Sequence, residues 1–195
     1  MCGRYYVDDE TSREIEKIVR KLDQRLKIEH GQDIHPSESA VVLTKECREV
    51  AARQMQWGFP GFQGKGLLIN ARAEAILDKK TFRESVLHRR CVIPARHFYE
   101  WSKNKEKYTF QGPKQDATLF MAGCYQIYNG QNRFVILTTQ ANASVAPVHE
   151  RMPLLLERQE LEDWIMEDAA VEIILAKKPI PLNRTAEYEQ LKLFS

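Results

Sequence analysis

The chain opens Met1-Cys2-Gly3-Arg4, and the second residue is where reactivity is expected. A cysteine at position two is small enough that an initiator methionine is normally trimmed. With Met1 gone, Cys2 carries an α-amine and a thiol on adjacent carbons. The amine condenses with an aldehyde to an imine, and the neighbouring thiolate closes onto the imine carbon to give a thiazolidine. Both groups are usable near neutral pH, since an α-amine titrates at roughly 7.7–8.0 and a thiol near about 8.5. A single internal Lys or Cys has no equivalent reaction. An incidental cysteine on a frayed terminus is the ordinary alternative, so the rest of the chain has to decide.

Four later stretches bear on it: Ile69-Asn70-Ala71-Arg72-Ala73-Glu74, Arg90-Cys91-Val92-Ile93-Pro94-Ala95, Phe98-Tyr99-Glu100-Trp101 and His149-Glu150-Arg151-Met152-Pro153. With the opening Cys2-Gly3-Arg4 they resemble the SOS-response-associated peptidase family, the abasic-site processing proteins that crosslink to damaged single-stranded DNA. Each motif alone is weak. Together, in sequence order and with one at the very N-terminus, they are specific. The resemblance implies Cys2 as nucleophile with Asn70, Glu100 and His149 supporting it, single-stranded DNA containing abasic sites as the target, and some lyase capacity through the imine. It also implies loss of Met1, by self-processing or by an aminopeptidase.

An abasic deoxyribose exists partly as an open-chain aldehyde. Glu100, set between Tyr99 and Trp101, is the expected proton donor and acceptor, because an apolar setting raises a carboxyl pKa toward working pH. A solvent-facing strand glutamate is the bland alternative. His149 lies in the family's His-x-Arg-x-Pro pattern, and an imidazole there can protonate the sugar ring oxygen or hold the released hydroxyl. His30, His35, His88 and His97 are read as structural. Asn70 can both donate and accept, which suits orienting the Cys2 amine without fixing its charge. Arg4 and Arg72 are expected to clamp phosphates bidentately. Arg151 is assigned to DNA with them, a structural ion pair being its alternative. Thr138 is expected to offer a hydroxyl to the DNA backbone. Pro36 and Phe62 occupy positions where the family places residues that break base stacking beside the lesion. Trp57 and Trp101 read as packing residues lining the groove, with Trp101 counted among the DNA-contacting positions. Single strands or strand junctions are the expected substrates, since the reacting carbon is out of reach in a stacked duplex.

The pattern is broken in places. Asp33-Ile34-His35-Pro36 stands where the family has Asn-x-x-Pro, the paired bulky aromatics of the wedge loop reduce to Phe62-Gln63, and the C-terminal segment is short. These changes touch the wedge and leave the reactive centre intact.

Hydrophobic residues make up 43% of the 195 and charged residues 29%, ordinary values that exclude wholesale disorder. One domain over residues 1–195 is expected. The formal charge of +2 suits a nucleic-acid partner without arguing for one, because the footprint of such proteins is a local patch. No apolar run reaches membrane-span length and no basic-then-apolar leader is present. A cytoplasmic, nucleoid-associated monomer with no membrane contact is expected, with replication proteins as further candidate partners. Cys2, Cys47, Cys91 and Cys124 show no CxxC or zinc-like spacing, so no metal and no cofactor are expected. Cys91 and Cys124, inside apolar runs, read as buried thiols.

The elements that must position these residues follow from periodicity. Residues 5–8 read as a short extended segment. A helix follows, with capping-box spacing at Thr11-Ser12-Arg13-Glu14 and a face of Ile15, Ile18, Val19, Leu22 and Leu26. Strands are expected over 40–43, 49–57, 67–70, 91–93, 98–101, 108–110, 119–128, 133–138 and 154–156. Pro94-Ala95-Arg96-His97 is read as a separator between two of them. Residues 58–66 read as a glycine-rich loop lacking phosphate-loop spacing, with Phe62 exposed. Helices are expected over about 79–88 and 161–167, and Asn129-Gly130 marks a hairpin. The tail with Pro179 and Pro181 reads as irregular. The result is an α+β fold: a curled, mostly antiparallel, barrel-like sheet with a few flanking helices.

Two other functions fit the same residues. An N-terminal-nucleophile amidase or peptidase would use Cys2, His149 and an oxyanion-type Asn70 for acyl transfer. A non-covalent single-strand binding module would leave Cys2 incidental and bind in a salt-sensitive, lesion-indifferent way.

Overall fold

A computed structural model describes residues 2–19, 31–114 and 117–187. The chain begins with β1 (Tyr5–Val7), α1 (Asp9–Ile18) and β2 (Gln32–Ile34). A long hairpin of β3 (Ser39–Glu46) and β4 (Glu49–Trp57) leads into a small ribbon, β5 (Phe59–Pro60) and β6 (Leu67–Leu68). Next come β7 (Asn70–Arg72), α2 (Lys80–His88), β8 (Arg90–Ala95), β9 (His97–Trp101) and β10 (Lys107–Gln111). A second long hairpin, β11 (Leu119–Tyr128) and β12 (Gln131–Gln140), is followed by β13 (Arg151–Pro153), β14 (Leu155–Leu156), α3 (Glu160–Met166), α4 (Val171–Leu175) and β15 (Asn183–Ala186).

Five strands close on themselves in the order β12, β4, β3, β8, β11 and back to β12, with β7 and β13 alongside β12 and β14 alongside β11. A separate sheet runs β15-β10-β9-β1-β2. The α+β, barrel-like architecture expected from the sequence is the one observed. Pairing is antiparallel except where β12 meets β4 and β7.

Both faces of the closed sheet are buried. Cys91, Ile93, Ala95, Phe134 and Ile136 pack with Tyr5, Ile34, Phe98 and Phe110 of the second sheet. The alternate residues Val92, Val135 and Leu137 pack with the helices through Ile15, Val86, Trp164 and Ile174. A strand buried on both sides has no polar face, which is why these segments read as continuous apolar runs. β11 is closely flanked by β8 and β12 at Gly123, where a Cβ would lie 2.4 Å from Ile93 Cδ1 and 2.8 Å from the Val135 carbonyl oxygen. The hairpin at Asn129-Gly130 closes as expected, with both residues at positive φ (51° and 78°) and Tyr128 paired to Gln131. That is the backbone that a two-residue turn between twisted strands requires.

Several expectations change. The first helix is capped by Asp8, whose carboxylate accepts from the Thr11 backbone N–H (2.9 Å) and hydroxyl (2.8 Å), so Thr11 and Ser12 are inside the helix and buried. Val19 follows the helix in extended backbone, while Leu22 and Leu26 lie outside the described residues. Pro94 and Ala95 belong to β8 rather than to a separator. Pro94 is tolerated opposite Phe120 in the register, and the break falls at Arg96 alone. The glycine-rich stretch contributes β5, which pairs with β6 just beyond it, and the tail contributes both α4 and β15.

Candidate active site

Cys2 is delivered by the second sheet. β1 pairs Tyr5 with Phe98, and the Tyr99 backbone N–H donates to the Arg4 carbonyl at 3.0 Å, extending that pairing toward the terminus. Continuing the antiparallel register brings Gly3 alongside Glu100. Cys2 is fully buried among the apolar residues between the two sheets, and its Sγ lies 3.8 Å from the Arg4 carbonyl oxygen. From the other sheet, β7 presents Asn70, whose Nδ2 donates to the Cys2 carbonyl at 2.9 Å. Asn70 Oδ1 is a buried acceptor with no donor.

Glu100 faces the same space. Successive strand residues point to opposite sides, so Glu100 shares a face with Phe98 and is only 2% exposed. Burial pushes its carboxyl pKa up, against the pull of neighbouring positive charge, that of His149 included. Burial also pushes the Cys2 thiol far up, and the Glu100 carboxylate adds to that shift. Each group is thus held toward its neutral form. Glu100 interacts electrostatically with both Cys2 and His149, and Asn70 is bonded to Cys2. The four residues expected to act together are gathered in one place.

His149 is half-buried, at the end of the 141–150 loop. Its Nδ1 meets the Arg151 backbone N–H at 3.0 Å and the Arg151 carbonyl oxygen at 3.1 Å. In one protonation state Nδ1 accepts from that N–H, and in the other it donates to that carbonyl. The loop is pinned by Asn142, which accepts from the Ser144 backbone N–H (3.0 Å) and donates to the carbonyls of Pro179 (3.1 Å) and Ile180 (2.9 Å). A cleft of about 720 Å³ opens beside His149, lined by Trp101, Lys103, Asn104, Tyr108, Pro147 and Val148 among others.

The positions assigned to DNA divide into three groups. Phe62 is 85% exposed at the tip of the ribbon, Trp101 is 38% exposed at the cleft, and Pro36 is half-buried. Arg72 is exposed, and strand alternation puts it on the same side as Asn70. Arg4 is half-buried and its Nε lies 3.0 Å from Asp33 Oδ2. Arg151 and Thr138 are engaged inside the protein. The Arg151 guanidinium grips both oxygens of Glu74 (2.9 and 2.8 Å) and the Thr138 carbonyl (2.7 Å), and this drives the Glu74 carboxyl down to about 2. Thr138 is fully buried, with its hydroxyl 3.5 Å from the Ala71 carbonyl. Trp57 is a fully buried core residue stacked on Phe134, and Phe59 packs on Phe82 and Tyr128.

Over residues 1–190 the sequence matches the family described as SOS response associated peptidase (SRAP). The chain belongs to the SRAP family. Among its SRAP relatives, abasic site processing protein YoqW of Bacillus subtilis (strain 168) is 29% identical over 181 residues, covering 85% of this chain and 80% of that protein. Abasic site processing protein YedK of Escherichia coli (strain K12) is 23% identical, covering 94% and 89%. In fold, this SRAP chain is similar to a crystallised protein from Bacteroides thetaiotaomicron (TM-score 0.82, 21% identity, 98% of this chain and 94% of the other). It is also similar to a crystallised phage-related protein from Bordetella bronchiseptica (TM-score 0.75, 22% identity, 95% and 93%).

Three contributors around the SRAP site escaped the sequence reading: Asp33, which holds Arg4; Glu74, which holds Arg151; and Asn142, which holds the His149 loop. Only Asn142 carried a local signal, since an Asn two residues before a Ser fits an Asx-turn. The other two depend on contacts between distant strands.

Proposed function

We propose that this protein shields abasic sites in single-stranded DNA by forming a covalent thiazolidine through Cys2 after Met1 is removed. The observation that carries the reading is the convergence of Asn70 from β7, Glu100 from β9 and Cys2 from the segment before β1 into one buried cluster beside His149. The names of the curated relatives, abasic site processing proteins, point the same way.

The chemistry balances with these groups alone. The neutral Cys2 amine adds to the open-chain aldehyde carbon, and protonated Glu100 donates the proton that lets water leave, giving an iminium. That positive charge, two bonds from the Cys2 side chain, favours thiolate over thiol. The sulfur gives up its proton to Glu100 or His149 and bonds to the former aldehyde carbon while the C=N electrons return to nitrogen. The net change is loss of one water. Asn70, already fixed to the Cys2 carbonyl, orients the amine through its vacant Oδ1. Arg72 and Arg4 hold phosphates, Trp101 and Pro36 border the strand, and Phe62 occupies the space of an unstacked base. Thr138 and Arg151 act from inside, holding Glu74 and the backbone around His149. The iminium is also the species from which β-elimination cleaves DNA, so lyase activity and slow self-reversal belong to the same pocket.

Intact-mass analysis after incubation with a uracil-excised single-stranded oligonucleotide tests the reading. The expected product is the Met1-free protein plus DNA minus water, absent for Cys2→Ala. A retained Met1, or an equally stable adduct from Cys2→Ala, refutes the thiazolidine.

A further inference from the structure

The outer face of the second sheet places a second cation, Lys107, beside Arg4. β9 lies between β1 and β10, and its residue Tyr99 sits at the centre of that face. Arg4 reaches over the Tyr99 ring from the β1 side, with Cζ 5.5 Å from the ring centroid, and Lys107 from the β10 side, with Nζ at 4.5 Å. The two charges are therefore at most about 10 Å apart. Each is held by one acid: Arg4 by Asp33 at 3.0 Å and Lys107 by Glu187 at 3.3 Å. The cations are the more sheltered partners on the Lys107 side, where the lysine is 22% exposed and Glu187 61%. Strand alternation puts Trp101, which borders the cleft beside His149, on the same face as Tyr99.

We infer that Arg4 and Lys107, seated on the Tyr99 ring, form a two-cation site for consecutive phosphates of the single strand next to the lesion. The inference rests on the proposed DNA-binding function and extends it to Lys107 and Tyr99, which belong to no part of the reaction pocket. The ring fixes the two side chains through cation–π contact, so little of their freedom remains to be lost when a strand arrives. Phosphate oxygens replace the carboxylates of Asp33 and Glu187, and the acids keep the face near neutral when no strand is bound. Because Arg4 is two residues from Cys2, the seat directs the backbone from the reacting sugar across β9 toward β10.

The test is equilibrium binding of the protein to a labelled single-stranded oligonucleotide without an abasic site, measured over a range of salt concentrations. Lys107→Met keeps the aliphatic stem and removes the charge. It is expected to weaken binding about two- to fivefold at low salt and to reduce the log–log salt slope by about 0.7, one phosphate contact on a single strand. Lys107→Arg restores the slope, and Glu187→Gln tightens binding. A Lys107→Met slope equal to that of the unaltered protein overturns the seat, as does weaker binding by Glu187→Gln. Normal abasic-site adducts with an unchanged Lys107→Met slope remove the seat alone. A reduced slope in a protein that forms no adduct keeps the seat and removes the covalent reading.

Discussion

At the scale of single residues, the pocket is built from groups kept out of their charged forms by burial. Glu100 is a carboxyl whose folded pKa lies above its ordinary value. Its ionisation is disfavoured in the native state, so stability is fullest at low pH and declines as pH rises through the folded pKa. Glu100→Gln removes that penalty, and the variant is expected to show a higher Tm than the parent near neutral pH. Its rate of adduct formation is expected to fall by about 10²-fold or more, the usual contribution of a positioned acid–base group. The parent's rate should be bell-shaped in pH, because the reacting form needs both a neutral amine and a protonated Glu100. The Gln variant should lose the falling limb. Stopped-time denaturing gels across pH, read beside thermal melts, check both halves; a variant that is slower but no more stable would contradict the burial argument.

At the scale of elements, the β5–β6 ribbon is anchored in the core by Phe59 and carries an exposed tip at Phe62. It is tied down at its base, where the Trp57 indole N–H donates to the Ile69 carbonyl at 2.9 Å and the Gly58 N–H to the Phe134 carbonyl at 2.8 Å. Its tip turns through Gln63 at φ 52°, and a Cβ on Gly61 would lie 2.0 Å from the Lys65 carbonyl oxygen. Phe62→Ala removes a ring that is 85% exposed, so unfolding free energy should stay within about 0.5 kcal/mol. Single-strand binding should weaken by about 1–3 kcal/mol if the ring meets a base. Gly61→Ala should produce the same binding loss by displacing the tip. Equal affinity in Phe62→Ala and parent protein would exclude the wedge role.

At the scale of the whole molecule, acid stability reports contacts made at each of the two sheets. His97 is stacked on Tyr6 and bonded to the Tyr99 hydroxyl at 2.8 Å, and burial lowers its pKa from 6.5 to about 4. Between those values the unfolded chain binds a proton that the native protein refuses, so stability falls as pH drops through that window. Glu74, gripped by Arg151, adds a second loss as pH falls from 4.5 to about 2. That loss is small because the Glu74 side chain is 48% exposed and solvent screens the pair. Urea unfolding at successive pH values should show the first decline, and His97→Gln should flatten it. The Glu74 decline should survive in that variant.

The order of motifs, the hairpin at Asn129-Gly130 and most strands were legible in the chain itself, because turn chemistry and apolar periodicity are local properties. Glu100 and Phe62 were also legible, one from aromatic neighbours and the other from its glycine-rich setting. Tertiary structure alone decided which arginines are engaged within the protein. Arg151 and Arg4 look alike in sequence, yet one is locked in a bidentate grip on Glu74 and the other shares a ring with Lys107. It also decided that Asp8 rather than Thr11 caps the first helix, and that the proline-bearing tail returns to pair as β15. Those outcomes depend on which strands become neighbours, and the closure of a sheet is set by packing between segments far apart in the chain.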